Sequence, residues 1–159
     1  MARAGRVVMP SEPAVSSSAA ATERAGAALA TRLRPGDVVL LEGDLAAGKT
    51  TLVRGLAVGL GGSAEDVSSP SFVLVQTYPC AASGVVRLHH VDLYRLADRL
   101  PELRALGLED LLSDPAAVTA VEWPKDTLAA WIPPASRVWH VRLTLQKAGE
   151  RRIEITPPE

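Results

Sequence analysis

The residues best suited to chemistry lie between Gly43 and Thr50. They follow the pattern G-x-x-x-x-G-K-[ST], with an apolar run at 38–41 before them and a helical pattern after them. Backbone N–H groups in such a loop, together with a helix N-terminus, bind phosphate groups. In this pattern Lys49 reaches the β- and γ-phosphates and the Thr50 hydroxyl binds Mg²⁺. The sequence therefore predicts a site for a nucleoside triphosphate.

Two acidic residues are predicted at the carboxyl ends of apolar strands. Asp92 follows the run at 85–91, and Glu122 follows the run at 117–121. Because such strand ends line the ligand crevice of an α/β sheet, both side chains are expected to face the Mg²⁺ held by Thr50. One acid would help to hold the metal and the other would orient the attacking water. The sequence leaves this division open, and it also allows Asp92 to cap the next helix and Glu122 to be an exposed strand-end residue.

The surrounding sequence predicts an α/β fold, a P-loop NTPase-like three-layer sandwich with a mixed sheet that includes antiparallel strands. Hydrophobic periodicity and turn residues define the elements. Helices are predicted from caps at 16–18 to about 33, from the phosphate loop to about 60 and over 126–131, and a helical region is predicted after 93–96, ending at about 112. Strands are predicted at 7–9, 38–42, 72–78, 85–91, 117–121, 138–145 and 151–155. The third and fourth strands form a hairpin that turns at 79–84, and the last two form another.

Composition limits the classes of protein that fit. The chain has 159 residues, of which 47% are hydrophobic and 22% charged, so we expect a single domain over 1–159 with 1–15 partly mobile. A net charge of −1 predicts no direct DNA contact, and any RNA role would act through partners. No apolar run approaches the ~20 residues of a membrane span, and the lone Cys80 suits the cytoplasm.

Five motifs, in this order, resemble one known family. They are the run 39–51 with its phosphate loop, Ser69-Pro70-Ser71-Phe72, His90-Val91-Asp92-Leu93-Tyr94-Arg95, Leu106-Gly107-Leu108 and Val121-Glu122-Trp123. Together they resemble TsaE, also called YjeE, over roughly residues 20–155. Members of this bacterial family are small ATPases required for the threonylcarbamoyl modification of adenosine (t6A) in certain tRNAs.

The resemblance implies a role for each matching residue. Glu122 would be a Mg²⁺-associated acid and Asp92 the Walker-B-like acid needed for hydrolysis. Ser71 would lie in a switch-like loop beside the γ-phosphate, Trp123 at the edge of the site, and Thr22 near the nucleoside. The residues implied to hold the ATP phosphates are Gly43, Asp44, Leu45, Ala46, Ala47, Gly48, Lys49, Thr50 and Thr51. The implied partners are the TsaD and TsaB proteins, with tRNA reached only through that complex.

The chain departs from the family pattern at two positions and leaves alternatives open. Ala46 stands where the family usually has glycine, so a positive φ there would cost about 1 kcal/mol. Ser71 replaces the usual threonine of the switch-like loop. A small-molecule kinase is the main alternative, although no arginine-rich lid is evident. A module that binds nucleotide without hydrolysing it is the other. His89 and His90 are expected to be ordinary strand residues rather than zinc ligands.

Overall fold

The computed structural model describes residues 13–44, 46–68, 74–95 and 100–159. In these ranges the strands are β1 (Ala14–Ser16), β2 (Val38–Gly43), β3 (Val75–Ala82), β4 (Val85–Asp92), β5 (Ala117–Glu122), β6 (Val138–Leu145) and β7 (Arg151–Thr156). The α-helices are α1 (Ala19–Ala30), α2 (Lys49–Gly59), α3 (Leu100–Ala105) and α4 (Leu108–Leu112). Short 3-10 helices lie at Ala64–Asp66, Asp126–Ala130 and Lys147–Gly149. No helix in this part of the chain is long and apolar enough to cross a membrane.

All the described strands join one sheet in the order β1-β7-β6-β2-β5-β4-β3. The four central strands β6, β2, β5 and β4 are parallel, whereas β3 and β7 run antiparallel to their neighbours. The predicted α/β fold with a mixed sheet is therefore confirmed, and so are both predicted hairpins. The carboxyl ends of the parallel strands meet at one edge, which is where ligands bind in such sheets.

Apolar clusters cover both faces of the sheet and create three layers. Neighbouring residues Val38 and Val39 are both fully buried, yet they belong to different clusters because strand side chains alternate between faces. The cluster around Val39 includes side chains of α1 and α2, and the cluster around Val38 includes side chains of α3, α4 and the 3-10 helix at Asp126–Ala130. Since β2 is buried on both sides, the loop that follows it starts from a rigid support.

Helices α1 and α2 pack with their backbones in close contact. A Cβ atom added at Gly55 would lie 1.9 Å from the Glu23 carbonyl oxygen, and one at Gly26 would lie 2.2 Å from the Leu52 carbonyl oxygen. These two glycines therefore allow a spacing that a larger residue would prevent. The helix that follows the phosphate loop is fixed against the sheet and against α1.

The N-cap of α1 lies within the predicted 16–18, but the helix ends earlier than the sequence predicts. Ser18 is the N-cap, since its hydroxyl accepts a hydrogen bond of 3.0 Å from the Ala21 N–H. Ser16, predicted to be a cap, belongs to β1 and pairs with Arg151 of β7. The helix ends at Ala30, and the apolar residue Leu33 is buried without being helical. The apolar stripe at helical spacing, which included Leu33, therefore extended the predicted helix too far.

The turn of the first hairpin is shorter than predicted. Strand β3 continues through Pro79 to Ala82, and only Ser83 and Gly84 remain outside the strands. Because β3 is the edge strand, the missing N–H of Pro79 costs no hydrogen bond with an inner strand. The pairing is irregular between Pro79 and Ala82, which accommodates the proline.

The helical region predicted to end at about 112 is helical in the described residues but is not one continuous helix. The structure has α3 and α4 instead, with Gly107 between them at φ 69°. A left-handed residue ends a right-handed helix, and glycine adopts that conformation with little strain. The predicted strand at 7–9 and the switch-like loop at 69–72 lie outside the described residues.

Candidate functional site

The phosphate loop connects the end of β2 to the start of α2, as the sequence predicts. Gly48 is the N-cap of α2, so the helix N-terminus opens directly into the loop. Ala46 has φ 63°, which is the left-handed conformation that alanine adopts only with strain. The exposed backbone of this turn and the first N–H groups of α2 form a surface suited to an anion. Leu45 lies outside the described residues.

Lys49 is held close to the loop. Only 5% of the residue is exposed, and its Nζ atom donates to the carbonyl oxygens of Gly43 at 2.5 Å and Asp44 at 2.9 Å. Nζ also lies 4.1 Å from the centre of the Trp123 ring. Burial lowers the pKa of Lys49, and the nearby carboxylates of Glu122, Asp92 and Asp44 oppose that shift. The site therefore contains a preorganised cation surrounded by acids.

Thr50 and Glu122 form the pair expected for a divalent metal. The Thr50 hydroxyl lies 3.2 Å and 3.4 Å from the two carboxylate oxygens of Glu122. Asp92 is the direct neighbour of Glu122 across the parallel strands β4 and β5, and one of its oxygens accepts from the Tyr94 N–H at 2.9 Å. Both acids are almost fully buried. The exposed strand-end alternative for Glu122 is therefore wrong.

These groups surround a cleft with a volume of about 230 Å³. It is lined by Ala46, Ala47, Gly48, Lys49, Thr50, Thr51, Asp92, Tyr94, Glu122, Trp123 and Arg151. Trp123 has φ 58°, and its ring lies 4.8 Å from that of Tyr94. Beyond Trp123 lies a second cleft of about 380 Å³, whose walls include Gly43, Asp44 and Lys125. Trp123 thus lies at the boundary between the two clefts.

Most of the predicted site residues meet in this region, but Thr22 does not line either cleft. Thr22 is buried at the start of α1, and its hydroxyl lies 2.7 Å from that of Ser16 and 3.2 Å from the Ser18 carbonyl oxygen. Its proposed contact with a nucleoside stays a prediction. Ser71, like Leu45, falls outside the described residues. The roles of the remaining residues rest on their shared position and chemistry.

Sequence reasoning missed two residues at this site. Arg151 begins β7, donates to the Ala46 carbonyl oxygen at 3.3 Å and brings a second cation to the cleft. His90 was expected to be an ordinary strand residue, yet it is fully buried and its Nε2 atom lies 2.5 Å from Glu122 Oε2. No local signal marks Arg151, because only the pairing of β7 in the sheet brings it to the loop. His90 is part of the motif that contains Asp92, but the sequence does not show that its partner is Glu122.

The oxygen donors of the cleft fit Mg²⁺ rather than a softer metal. A hydroxyl and carboxylates are hard ligands, and Mg²⁺ is usually bound by one or two carboxylates together with phosphates and water. Within the ranges that the structure describes, no group of three or more His, Cys, Asp or Glu residues could hold a metal alone. A metal here would thus need oxygens from a bound phosphate, as Thr50 and Glu122 imply.

Comparison with known proteins identifies the family. The sequence model described as "Threonylcarbamoyl adenosine biosynthesis protein TsaE" matches residues 16–153 of this chain. The chain belongs to the TsaE family. A TsaE-family relative from Streptomyces coelicolor is 49% identical over 98 residues, which cover 62% of this chain and 64% of the relative. That match spans slightly less than two thirds of the relative.

Other TsaE-family members match over more of their length. A relative from Treponema pallidum is 37% identical over 142 residues, covering 89% of this chain and 96% of the relative. Both relatives are called tRNA threonylcarbamoyladenosine biosynthesis protein TsaE. Among solved structures, Bacillus subtilis YdiB superposes with a TM-score of 0.68 at 26% identity, covering 93% of this chain and 86% of YdiB. This likeness supports the TsaE-family fold over nearly the whole chain.

Proposed function

We propose that this protein binds Mg²⁺ and ATP in the phosphate-loop cleft and hydrolyses ATP to ADP and phosphate in the service of t6A modification of tRNA. The observation that carries the proposal is the Thr50 hydroxyl 3.2 Å from the Glu122 carboxylate, beside the buried Lys49 ammonium. The names of the TsaE relatives supply the biological process. They favour this function over that of a small-molecule kinase.

Each group in the cleft has a task that follows from its position. The loop N–H groups, Lys49 and Arg151 offset the negative charge of the triphosphate. Thr50 and Glu122 would hold Mg²⁺, which neutralises charge on the phosphates and aligns them. Because Glu122 contacts Thr50, we assign it the role of the metal-associated acid. The remaining acid, Asp92, would orient the water that attacks the γ-phosphorus as the bond to the ADP oxygen breaks.

The proposal includes partners because the chain itself offers little for RNA. Its net charge is −1, which gives no general attraction to a polyanion. We assign tRNA contact to a complex with the TsaD and TsaB proteins, as the family resemblance implies, and place that complex in the cytoplasm. ATP hydrolysis would then drive a step of the modifying assembly.

The test measures Mg²⁺-dependent phosphate release from ATP by the purified chain, with and without TsaD and TsaB. Lys49→Ala and Glu122→Ala should each reduce turnover by at least about 100-fold, since the first removes a cation that acts on the phosphates and the second removes an acid that would hold Mg²⁺. The matched controls are Lys147→Ala and Glu154→Ala, which remove the same residue types outside the cleft. Turnover in both controls should equal that of the unmodified chain.

Three outcomes would contradict parts of this proposal. Phosphate transferred to a small acceptor would establish the kinase alternative. Nucleotide binding without phosphate release, even with TsaD and TsaB present, would leave a binding module. Turnover that does not respond to TsaD and TsaB, with no change in t6A yield, would refute the partner assignment while leaving the ATPase intact.

A further inference from the structure

The buried side of Glu122 contacts one histidine. His90 lies on β4 and is 0% exposed, and its Nε2 atom lies 2.5 Å from Glu122 Oε2. The Thr50 hydroxyl lies near the same carboxylate, 3.2 Å from Oε2 and 3.4 Å from Oε1. Glu122 is itself only 3% exposed, so bulk water does not orient it. Two neighbouring side chains therefore define the orientation of this acid.

The second ring nitrogen of His90 indicates which atom carries the hydrogen. Nδ1 is buried and has no hydrogen-bond partner among the residues that the structure describes. A carboxylate oxygen accepts hydrogen bonds, and a neutral imidazole has one donor nitrogen and one acceptor nitrogen. The arrangement that fits is therefore a hydrogen on Nε2, donated to Glu122 Oε2, with the lone pair on Nδ1. In this form His90 acts as a fixed donor to the carboxylate.

The adjacent histidine shows what a purely structural arrangement looks like. Both ring nitrogens of His89 have partners, since Nδ1 lies 2.8 Å from the Thr77 hydroxyl and Nε2 lies 2.8 Å from Asp114. Those contacts link β4 to β3 and to the loop before β5, on the face away from the cleft. The His90 ring, by contrast, contacts Glu122, an acid that lines the cleft.

We propose that His90 is a positioning residue that holds the Glu122 carboxylate in the orientation needed to bind Mg²⁺ together with Thr50. The inference rests on the proposed function, in which Glu122 is the metal-associated acid. Carboxylates that bind metals are commonly fixed by hydrogen bonds from residues behind them, and loss of such a partner weakens metal affinity or activity by about 10- to 100-fold. His90 is therefore expected to control metal affinity without touching the nucleotide.

The experiment compares substitutions of His90 that differ in whether the new side chain can donate a hydrogen bond to Glu122. His90→Gln places an amide N–H near the position of Nε2, whereas His90→Asn is one methylene shorter and cannot reach Glu122. His90→Leu removes the donor altogether. The control is His89→Asn, which disturbs a buried histidine on the same strand outside the cleft. Circular dichroism first checks that each variant is folded, and the Gln and Asn pair decides the question if the leucine variant is not.

Calorimetry then measures ADP affinity without metal and across a series of Mg²⁺ concentrations. His90→Asn and His90→Leu should raise the Mg²⁺ concentration for half-maximal effect by about tenfold or more. His90→Gln and His89→Asn should stay within about twofold of the unmodified chain, and ADP affinity without metal should be the same in all.

The possible failures are distinguishable. If His90→Asn and His90→Gln show the same Mg²⁺ dependence, the positioning role is refuted while the proposed ATPase survives. If His89→Asn weakens Mg²⁺ binding as much as His90→Asn does, the effect is one of general packing, which also refutes the role. If the unmodified chain binds ADP with no dependence on Mg²⁺, the proposed metal site fails and the inference fails with it.

Discussion

Ala46→Gly tests whether the phosphate loop carries backbone strain. Ala46 has φ 63° and an exposed side chain, so its methyl group contributes little burial that glycine would lose. The left-handed conformation costs a non-glycine residue about 1–2 kcal/mol. Glycine also has more conformational freedom in the unfolded chain, which lowers the free energy of unfolding by about 0.4–1 kcal/mol. The net expectation is a rise of about 0.5–1 kcal/mol in the free energy of unfolding.

The positive φ of Ala46 is a property of the folded loop, so its strain is expected in the stability of the folded chain. Ala46→Gly should therefore raise the unfolding temperature by about 1–4 °C for a domain of this size. ADP affinity should change by less than about twofold. A strain that is the same with and without ADP adds nothing to the free energy of binding. Urea unfolding and calorimetry measure the two quantities separately.

Two further alanines serve as controls. Ala148 has φ 59° in the exposed turn before β7, so Ala148→Gly should stabilise the chain by a similar amount. Ala28 is exposed within α1, where glycine costs about 1 kcal/mol. If Ala46→Gly destabilises the chain as Ala28→Gly does, the strain argument is refuted. A gain that appears in ADP affinity and not in stability would show that the loop changes conformation on binding.

Two other predictions concern the scaffold. Gly55→Ala should lower the free energy of unfolding by about 1–3 kcal/mol, because its Cβ would meet the Glu23 carbonyl oxygen; a neutral effect in urea unfolding would contradict the close helix contact. The hydrogen bond from Arg87 holds the pKa of Asp114 well below its usual 3.8, with a smaller contribution from His89. This stabilisation is present above about pH 4 and is lost as the pH falls below it, so the stability advantage of the unmodified chain over Asp114→Asn should shrink from pH 6 to pH 3. If the stability advantage over Asp114→Asn grows towards pH 3, the pKa of Asp114 is not lowered by folding.

The strand–loop–helix unit was predictable because its signals are local. The apolar run of β2, the glycines and Lys49 follow one another in the sequence, so each constrains the next. Because the carboxyl ends of parallel strands meet at one edge, the sequence could also place Asp92 and Glu122 together, although they are 30 positions apart. The predicted element boundaries were wrong where the same residues are compatible with two kinds of local structure. Pro79 and its neighbours resemble a turn, but an edge strand also tolerates proline.

The contacts that complete the site were not predictable for a different reason. His90 lies in β4, which is buried on both faces, so alternation of polar and apolar residues cannot show which way the ring points. Arg151 lies about 100 residues from the loop it contacts, and only the position of β7 in the sheet brings it there. Gly107 belonged to a recognised motif, but a leucine-rich pattern on both sides concealed the break between α3 and α4. Sheet packing determined the first two of these features, and the backbone conformation of Gly107 determined the third.

The irregular end of β3 also bears on how the protein behaves at high concentration. An outermost strand offers unpaired N–H and C=O groups that another chain can extend into a larger sheet. In β3, Pro79 lacks one of those N–H groups, and the disturbed register up to Ala82 interrupts the regular spacing that an added strand would need. This edge therefore discourages aggregation through strand addition, and the proline that obscured the strand in the sequence contributes to the solubility of the folded chain.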